Sequence, residues 1–213
     1  MTTEITEKDI ILLRERIKPW LSDKRYAHVL SVEEEAAYYA DIYLKDRTLK
    51  VRAAALLHDI AKEISSEKQL KYIKKFDIIK CAPENLPKAV LHAAAAPGVI
   101  VSEFPEFADD EILSAVAWHT TGRPAMTVFD ALIFLADVTE VTRKHEGCKK
   151  LREFFRNNID ACKTDAERVA LLEKTVAKSL EDTIKHVKGK GNELFPITAE
   201  AEKYFLYGGH LSE

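Results

Sequence analysis

The run Ala53-Ala54-Ala55-Leu56-Leu57-His58-Asp59-Ile60-Ala61-Lys62 sets two metal-binding side chains next to each other in an apolar segment. Its apolar residues recur at helical spacing, which predicts a buried helix over residues 49–64. A histidine and an aspartate that were buried there without partners would destabilise the fold. The sequence therefore predicts a helical protein that encloses a metal ion beside His58 and Asp59.

The same helical periodicity continues on both sides of this run, with little of the alternation that is typical of strands. Only seven glycines and seven prolines interrupt the chain. We predict further helices over residues 10–19, 26–45, 66–76, 109–119, 127–141, 148–158, 164–187 and 198–206, and one that starts near Pro87 and carries His92. The predicted N-caps are Ser66, Asp109, Thr127 and Thr198. The pattern lacks sustained heptads, which predicts an all-α globular bundle rather than a coiled coil.

Length and composition limit the classes of function. The chain has 213 residues, 46% of them apolar and 31% charged, which is typical of one globular domain. We assign residues 1–188 to this domain and residues 189–213 to a short C-terminal extension packed on it. The net charge of −3 argues against binding to nucleic acid or to an anionic membrane surface. The chain contains no run of 18 apolar residues, so we expect no membrane-spanning helix.

Two further features predict a cytoplasmic protein. The first residues are polar and show no secretory signal. The three cysteines, Cys81, Cys148 and Cys162, have neither metal-binding nor disulfide spacing, and we expect reduced thiols that pack as small apolar side chains.

Six histidines and aspartates at wide intervals are the candidate metal ligands. Each lies in or at the end of an apolar-periodic segment, and the set is His28, His58, Asp59, His92, His119 and Asp137. Helical bundles build metal sites from side chains on facing helices. Neighbours on a helix point about 100° apart, so we expect His58 to bind one ion while Asp59 reaches inward and bridges two. Imidazole and carboxylate ligands favour iron, manganese or zinc over calcium or magnesium alone.

The order and setting of these residues resemble the HD-domain phosphohydrolases. The resemblance covers residues 25–143 and is strongest for the YqeK branch, the bacterial symmetrical bis(5'-nucleosyl)-tetraphosphatases. It is carried by Arg25-Tyr26-Ala27-His28, Leu57-His58-Asp59-Ile60-Ala61-Lys62, Leu91-His92, Trp118-His119-Thr120-Thr121-Gly122-Arg123-Pro124 and Phe134-Leu135-Ala136-Asp137, and more faintly by Phe195-Pro196-Ile197-Thr198. It implies that the six candidates bind two divalent metal ions, with iron the first expectation and manganese, cobalt or zinc the alternatives. It also implies cleavage of diadenosine tetraphosphate (Ap4A) into two ADP.

The expected chemistry assigns roles to further residues. Two adjacent metal ions activate a water molecule and neutralise phosphate charge, with Asp59 and Lys62 as the catalytic residues. Lys62 follows Asp59 by three residues, a spacing that lets it meet a substrate phosphate. The remaining candidate substrate contacts are Thr120, Thr121, Gly122, Arg123, Glu140 and Arg143.

Simpler roles stay open for several of these residues. Gly122 is also a helix stop, and Arg123 a partner for the last helical carbonyls. Glu140 and Arg143 are equally well placed for a local ion pair. The lysine-rich run, Lys68, Lys71, Lys74 and Lys75, is expected to be a solvated helix face, and His145, His186 and His210 are expected to lie outside the metal site.

Three departures from the family pattern leave the substrate open. They are Ala93 after the third histidine, Val141 after Glu140, and the segment Ala201-Glu202-Lys203 near the C-terminus. The first hypothesis is a hydrolase of dinucleoside polyphosphates. The alternatives are another nucleotide phosphohydrolase, such as a nucleotidase or a nucleoside triphosphate hydrolase, and a nucleotide-binding regulator with low turnover. The expected partner is a small nucleotide, and a homodimer is left open.

Overall fold

Helices account for all the regular structure in the part of the chain that the computed structural model describes, residues 4–76 and 86–212. The α-helices are α1 (Glu7–Ile17), α2 (Asp23–Tyr43), α3 (Thr48–Leu57), α4 (Ser66–Phe76), α5 (Leu91–Glu103), α6 (Asp110–Trp118), α7 (Val128–Thr139), α8 (Glu146–Ile159), α9 (Asp165–Gly189) and α10 (Pro196–Leu206). Short 3-10 turns cover Lys18–Trp20, Lys45–Arg47 and Pro105–Phe107. The predicted all-α fold is therefore confirmed.

Local sequence signals explain most helix starts. Thr127 caps α7 in a reciprocal arrangement with Asp130, and Asp109 caps α6, both as predicted. Two N-caps were predicted wrongly. The Ser65 hydroxyl, rather than that of Ser66, accepts a backbone N–H in the first turn of α4. Thr198 lies inside α10, which begins at Pro196 because proline suits a first helical turn.

The core of the bundle is built around two helices with small side chains, α3 and α5. Residues 91–100 of α5 are all buried, which marks a central helix rather than a surface one. The alanines of α3 and α5 allow neighbouring helices to approach closely. Helix α2 packs on α3 and α7, and α5 packs on α4 and α6. These contacts bring the helices that carry the six candidate ligands together.

The end of the chain packs on α9 and on the loop before α7. Helix α10 lies on α9. The Ser212 N–H donates to the Met126 carbonyl over 2.9 Å, and the Val128 N–H donates to the Ser212 carbonyl over 3.2 Å. The last described residues are thereby bound to the segment between α6 and α7.

Two further predictions concern thiols and membranes. Cys148 and Cys162 are free and half-buried, and Cys81 lies outside the described residues. Among the described helices, none combines the length and the apolar character that a bilayer span requires.

Candidate metal centre

The six candidate ligands meet in one buried cluster. They come from five places in the bundle: α2, the turn after α3, the first turn of α5, the C-terminal end of α6 and the last turn of α7. All are buried or nearly so, with Asp137 the most exposed at 16% of its side chain. The cluster holds two groups of potential ligands, each with one donor atom per residue within 4.8 Å of the others: His28, His58 and Asp137, and His58, Asp59 and His119.

The helix that carries His58 is shorter than predicted. Helix α3 ends at Leu57, and residues 58–63 form turns, so the predicted continuation to residue 64 was wrong. The Ile60 N–H donates to the Leu57 carbonyl over 3.1 Å, and the Lys62 N–H donates to the Asp59 carbonyl over 2.9 Å. The Gln69 side-chain amide donates a hydrogen bond to the Ala61 carbonyl over 2.7 Å. Tertiary contacts therefore override a strong local helix preference, and the tighter turns set the direction of Asp59.

The two carboxylate oxygens of Asp59 face different histidines. Oδ1 lies 3.3 Å from His92 Nε2 and 3.6 Å from His119 Nε2. Oδ2 lies 3.6 Å from His58 Nε2 and 3.9 Å from His28 Nε2. This arrangement is that of a carboxylate able to bridge two cations.

Asp137 completes the half of the centre that contains His28 and His58. Its Oδ1 lies 3.0 Å from His28 Nε2 and 3.9 Å from His58 Nε2. Burial alone raises the pKa of Asp137, but the adjacent His28 imidazole and the nearby Arg143 guanidinium hold this pKa well below its usual value. Asp137 therefore offers a charged oxygen to a cation.

Hydrogen bonds on the outer side fix the orientation of three imidazoles. His58 Nδ1 donates to the Ala55 carbonyl over 2.6 Å, and His119 Nδ1 donates to the Val116 carbonyl over 2.7 Å. A carbonyl oxygen only accepts, so in both rings the hydrogen lies on Nδ1 and the lone pair on Nε2 faces the cluster. His28 Nδ1 lies 3.1 Å from a carboxylate oxygen of Glu140 and donates to it. Metal-binding histidines are typically held in this way.

Three buried atoms of the cluster make no hydrogen bond: His28 Nε2, His58 Nε2 and Asp59 Oδ1. Such atoms are costly unless they are satisfied. Burial lowers the pKa of His58 to about 4, so this imidazole is neutral and able to bind a metal. Burial by itself raises the pKa of Asp59, but His58, His119 and Lys62 hold it well below its usual value. A neutral His58 imidazole beside ionised carboxylates fits divalent first-row metals.

Three cationic side chains lie at the partly exposed mouth of the cluster. Arg25 Nη1 donates to Asp59 Oδ2 over 2.7 Å. Lys62 Nζ is 2.9 Å from His92 Nε2 and 3.8 Å from Asp59 Oδ1. Arg143 donates to the Asp137 carbonyl over 2.8 Å and to its carboxylate. These groups give the mouth a preference for anions.

Arg25 was not among the predicted site residues. Its position three residues before His28 on α2 was the available signal, because residues at that spacing share a helix face. This spacing alone is a weak signal, since the guanidinium of a long arginine side chain can equally extend into solvent.

Of the loop after His119, only Thr120 reaches the centre. Its hydroxyl lies 3.0 Å from His119 Nε2 and 3.1 Å from His92 Nε2. Thr121 is buried and donates to the Gly122 carbonyl over 2.9 Å. Gly122 has φ +62° and ends α6 through a hydrogen bond from its N–H to the Trp118 carbonyl. These two residues shape the loop, while Thr120 faces the cluster.

Arg123 and Glu140, two of the predicted substrate contacts, form hydrogen bonds with neighbouring protein groups. Arg123 donates to Asp130 over 2.7 Å and to the Ala125 carbonyl over 3.1 Å, so it binds its own loop and the cap of α7. Glu140 is fully buried, binds His28 and accepts a hydrogen bond from Ser31 over 2.7 Å. Burial would raise the pKa of Glu140, but the hydrogen bonds from His28 and Ser31 help to lower it to about 2.

The remaining described histidines have other neighbours. The rings of His145 and His186 are 5.5 Å apart and pack edge to face. His210 lies 3.2 Å from a carboxylate oxygen of Glu173. None of these contacts involves the cluster.

Comparisons with known proteins agree with the fold and the cluster. The HD domain model matches residues 25–142. Three curated relatives are symmetrical bis(5'-nucleosyl)-tetraphosphatases. That of Halalkalibacterium halodurans is 32% identical, over 85% of this chain and 89% of the relative. That of Staphylococcus aureus is 29% identical, over 89% and 91%. That of Bacillus subtilis is 27% identical, over 90% and 95%.

A solved structure is similar along the whole chain. It is that of a Clostridium acetobutylicum protein described as a predicted HD superfamily hydrolase involved in NAD metabolism. It is 28% identical, with a TM-score of 0.73, and the match covers 96% of this chain and 99% of that one.

The HD domain model spans all six candidate ligands of the buried cluster, and the chain belongs to the HD-domain family. More particularly, it is a phosphohydrolase related to the symmetrical bis(5'-nucleosyl)-tetraphosphatases. The family resemblance inferred from the motifs is confirmed.

Proposed function

We propose that this phosphohydrolase cleaves dinucleoside polyphosphates, and specifically Ap4A into two molecules of ADP. The observation that carries the proposal is the geometry of Asp59, whose two oxygens face separate pairs of histidines. The curated relatives that are symmetrical tetraphosphatases support the choice of substrate.

The proposed ligands divide into two sets that share Asp59. His28, His58 and Asp137 form the first set, and His92 and His119, whose Nε2 atoms face Asp59 Oδ1, form the second. Iron is the proposed metal in both. Divalent ions bound there would activate a water molecule for attack on phosphorus and neutralise the charge of the phosphates.

The side chains at the mouth are proposed to bind and orient the phosphates. Arg25, Lys62 and Arg143 each place donors beside the carboxylates, within reach of a substrate that enters between them. The Thr120 hydroxyl adds a neutral donor. Phosphoryl transfer depends mainly on positioning and charge neutralisation, which this set supplies.

Two other predicted substrate contacts receive different proposed roles. Glu140 orients His28 through the imidazole Nδ1 rather than touching the nucleotide. Arg123, with Thr121 and Gly122, holds the loop in the shape that presents Thr120.

The product pattern tests this function. Protein loaded with iron or manganese, with oxygen excluded, should convert Ap4A to ADP alone, as measured by ion-exchange chromatography. In H₂¹⁸O, the label should enter the terminal phosphate of one ADP for each Ap4A cleaved. AMP together with ATP as products, or no turnover with full metal loading, would contradict the proposal.

A second candidate is hydrolysis of another nucleotide in the same centre. The description of the Clostridium acetobutylicum protein as involved in NAD metabolism favours it, as does Val141, which is 63% exposed directly after Glu140. Comparing kcat/KM for Ap4A with values for nucleoside triphosphates, nucleoside monophosphates and dinucleotides with two phosphates separates the two candidates.

A further inference from the structure

A groove with aromatic and basic side chains has no role in the function proposed so far. It runs between the turn Lys18–Trp20 and helix α4, and we call it the Trp20 groove. The residues that line it are Trp20, Ile64, Lys68, Lys71, Tyr72 and Lys75. Its apolar members are partly buried, and its three lysines are exposed. A neighbouring hollow shares Trp20, Ile64 and Lys68, so the two form one continuous depression.

One end of this depression is formed by residues that neighbour, in sequence, residues at the mouth of the metal centre. Glu63 lines the hollow and directly follows Lys62, whose Nζ lies 2.9 Å from His92 Nε2. Glu63 accepts hydrogen bonds from the N–H of Ser22 over 2.5 Å and from its hydroxyl over 2.8 Å. Ser22 caps α2, three residues before Arg25. Glu63 and Ser22 therefore lie within one helical turn of Lys62 and Arg25, two of the cations at the mouth of the centre.

The far end extends along α4. From Lys68 to Lys75 the helix rises by about 10 Å, at 1.5 Å per residue. Lys71 is paired with Glu67 over 2.8 Å, and Lys68 lines both parts of the depression. The groove thus combines aromatic surface with positive charge over a length comparable to that of a nucleotide.

This chemistry fits a nucleoside that is joined to phosphates. An indole ring offers a stacking surface for a base, and stacking is largely independent of the identity of the base. Lysine ammonium groups attract phosphate as point charges. Cleavage in the middle of a dinucleotide requires a binding place for a nucleotide on each side of the reacting phosphorus.

We propose that the Trp20 groove binds the distal nucleoside of the dinucleotide substrate, with its base against Trp20 and its phosphates near Lys68. This inference rests on the proposed function, because only a dinucleotide substrate carries a second nucleoside. The groove then selects dinucleotides over mononucleotides, which occupy the centre alone.

Trp20→Leu tests the stacking contact. We expect the KM for Ap4A to rise about tenfold, in line with the usual contribution of a stacked base, with kcat within about twofold of the wild type. The inhibition constant of ADP, which fills the centre, should not change. Trp20 also packs against Phe104, with ring centroids 5.9 Å apart, so thermal unfolding of the variant is measured alongside.

Tryptophan emission gives a second readout that does not depend on turnover. The chain has two tryptophans, Trp20 and Trp118. An Ap4A analogue with a methylene group between the two central phosphates should quench the wild-type emission strongly, and ADP should quench it much less. The Trp20→Leu protein, which retains only Trp118, should lose the difference between the two ligands.

Lys68→Gln changes an exposed side chain and avoids any effect of repacking. We expect a rise of about threefold in the KM for Ap4A at low salt, which shrinks at high salt because exposed charges are screened. The matched control is Lys185→Gln on α9, an exposed lysine paired with Glu181 over 2.6 Å, which should leave the KM unchanged.

The possible results distinguish a failure of the groove proposal from a failure of the proposed function. Ap4A turnover with an unchanged KM in both groove variants would overturn the groove proposal alone. An equal loss of affinity for ADP and Ap4A would also overturn it, because the effect would then lie in the centre. Wild-type protein that binds metal but does not cleave Ap4A would overturn both proposals.

Discussion

Two carboxylates buried in neighbouring parts of the bundle, Glu33 and Asp59, are satisfied in opposite ways. Glu33 on α2 accepts hydrogen bonds from Arg14 over 2.8 and 2.9 Å and from Arg52 over 2.9 Å. Asp59 is as deeply buried, and Arg25 donates to its Oδ2 over 2.7 Å, yet its Oδ1 makes no hydrogen bond and four imidazoles lie within 3.9 Å of its carboxylate. The difference indicates that Glu33 holds α1, α2 and α3 together, and it supports the proposed role of Asp59 as a metal ligand.

The largest expected effect is that of Asp59→Asn, which keeps the shape of the side chain and removes its charge. We expect kcat for Ap4A to fall on the order of 10³-fold, because a group on which the whole centre depends is lost. Metal content should fall from two ions per chain to at most one, measured by mass spectrometry of the purified protein. A variant that kept both ions and a tenth of the activity would remove the bridging role assigned to Asp59.

Lys62→Gln should have the next largest effect. The ammonium group lies beside His92 and Asp59, where it can reach a substrate phosphate, and loss of such a donor costs about 100-fold in kcat/KM. Metal content should stay unchanged, because lysine is not among the proposed ligands. Burial lowers the pKa of Lys62 but does not remove its role as a donor. If Lys62→Gln kept the wild-type kcat/KM, Lys62 would have a structural role, like Glu33, rather than a role in catalysis.

The sequence predicted the six residues of the cluster because their types are unusual in apolar helices. Histidine and aspartate in alanine- and leucine-rich segments have few explanations other than a bound ion. The end of α3 at Leu57 was not predictable, because the turns over residues 58–63 depend on contacts with other parts of the bundle, such as the hydrogen bond from the Gln69 side chain on α4 to the Ala61 carbonyl.

The buried carboxylates that pair with arginines, in contrast, could not be predicted, because their residue type is common on protein surfaces. Glu33, Glu34 and Glu35 form a charged run of the kind that usually lies in solvent, yet Glu33 and Glu35 are buried. Their partners are arginines on other helices: Arg14 and Arg52 for Glu33, and Arg156 for Glu35. No local pattern encodes such pairs, since each depends on which helices pack together.

Glu140→Gln extends the comparison to a third carboxylate, one that contacts the proposed ligands through His28 and lies 3.8 Å from the Arg143 guanidinium. Changes to groups that hold a metal-binding histidine typically cost 10–100-fold in metal affinity. We expect a loss of about that size, measured by titration with manganese, and recovery of most of kcat at saturating metal. Activity that stayed low at every metal concentration would instead place Glu140 among the groups that contact substrate.

The same variant should change the dependence of stability on pH. The folded-state pKa of Glu140 is about 2, below the ordinary value of 4.5, so its contribution to stability is complete above pH 4.5 and disappears as the pH falls through 2. Urea denaturation of metal-free wild-type protein should therefore lose more stability between pH 4.5 and 2 than that of Glu140→Gln. Equal slopes would mean that the charge of Glu140 is not stabilised by the fold.

Glu33→Gln should have the smallest effect on catalysis and a clear effect on folding. The change leaves Arg14 and Arg52 without their buried counter-charge. Breaking a buried pair costs 3–5 kcal/mol, but the Arg14 side chain is 37% exposed and partly screened, so we expect about 2 kcal/mol. Urea denaturation measures this loss, and kcat per folded molecule should match that of the wild type. Glu34→Gln, its exposed neighbour, is the matched control and should stay within about 0.5 kcal/mol of wild type. If Glu33→Gln reduced kcat as strongly as Asp59→Asn while the fold kept its stability, hydrogen-bond pairing would not separate structural from functional carboxylates in this bundle.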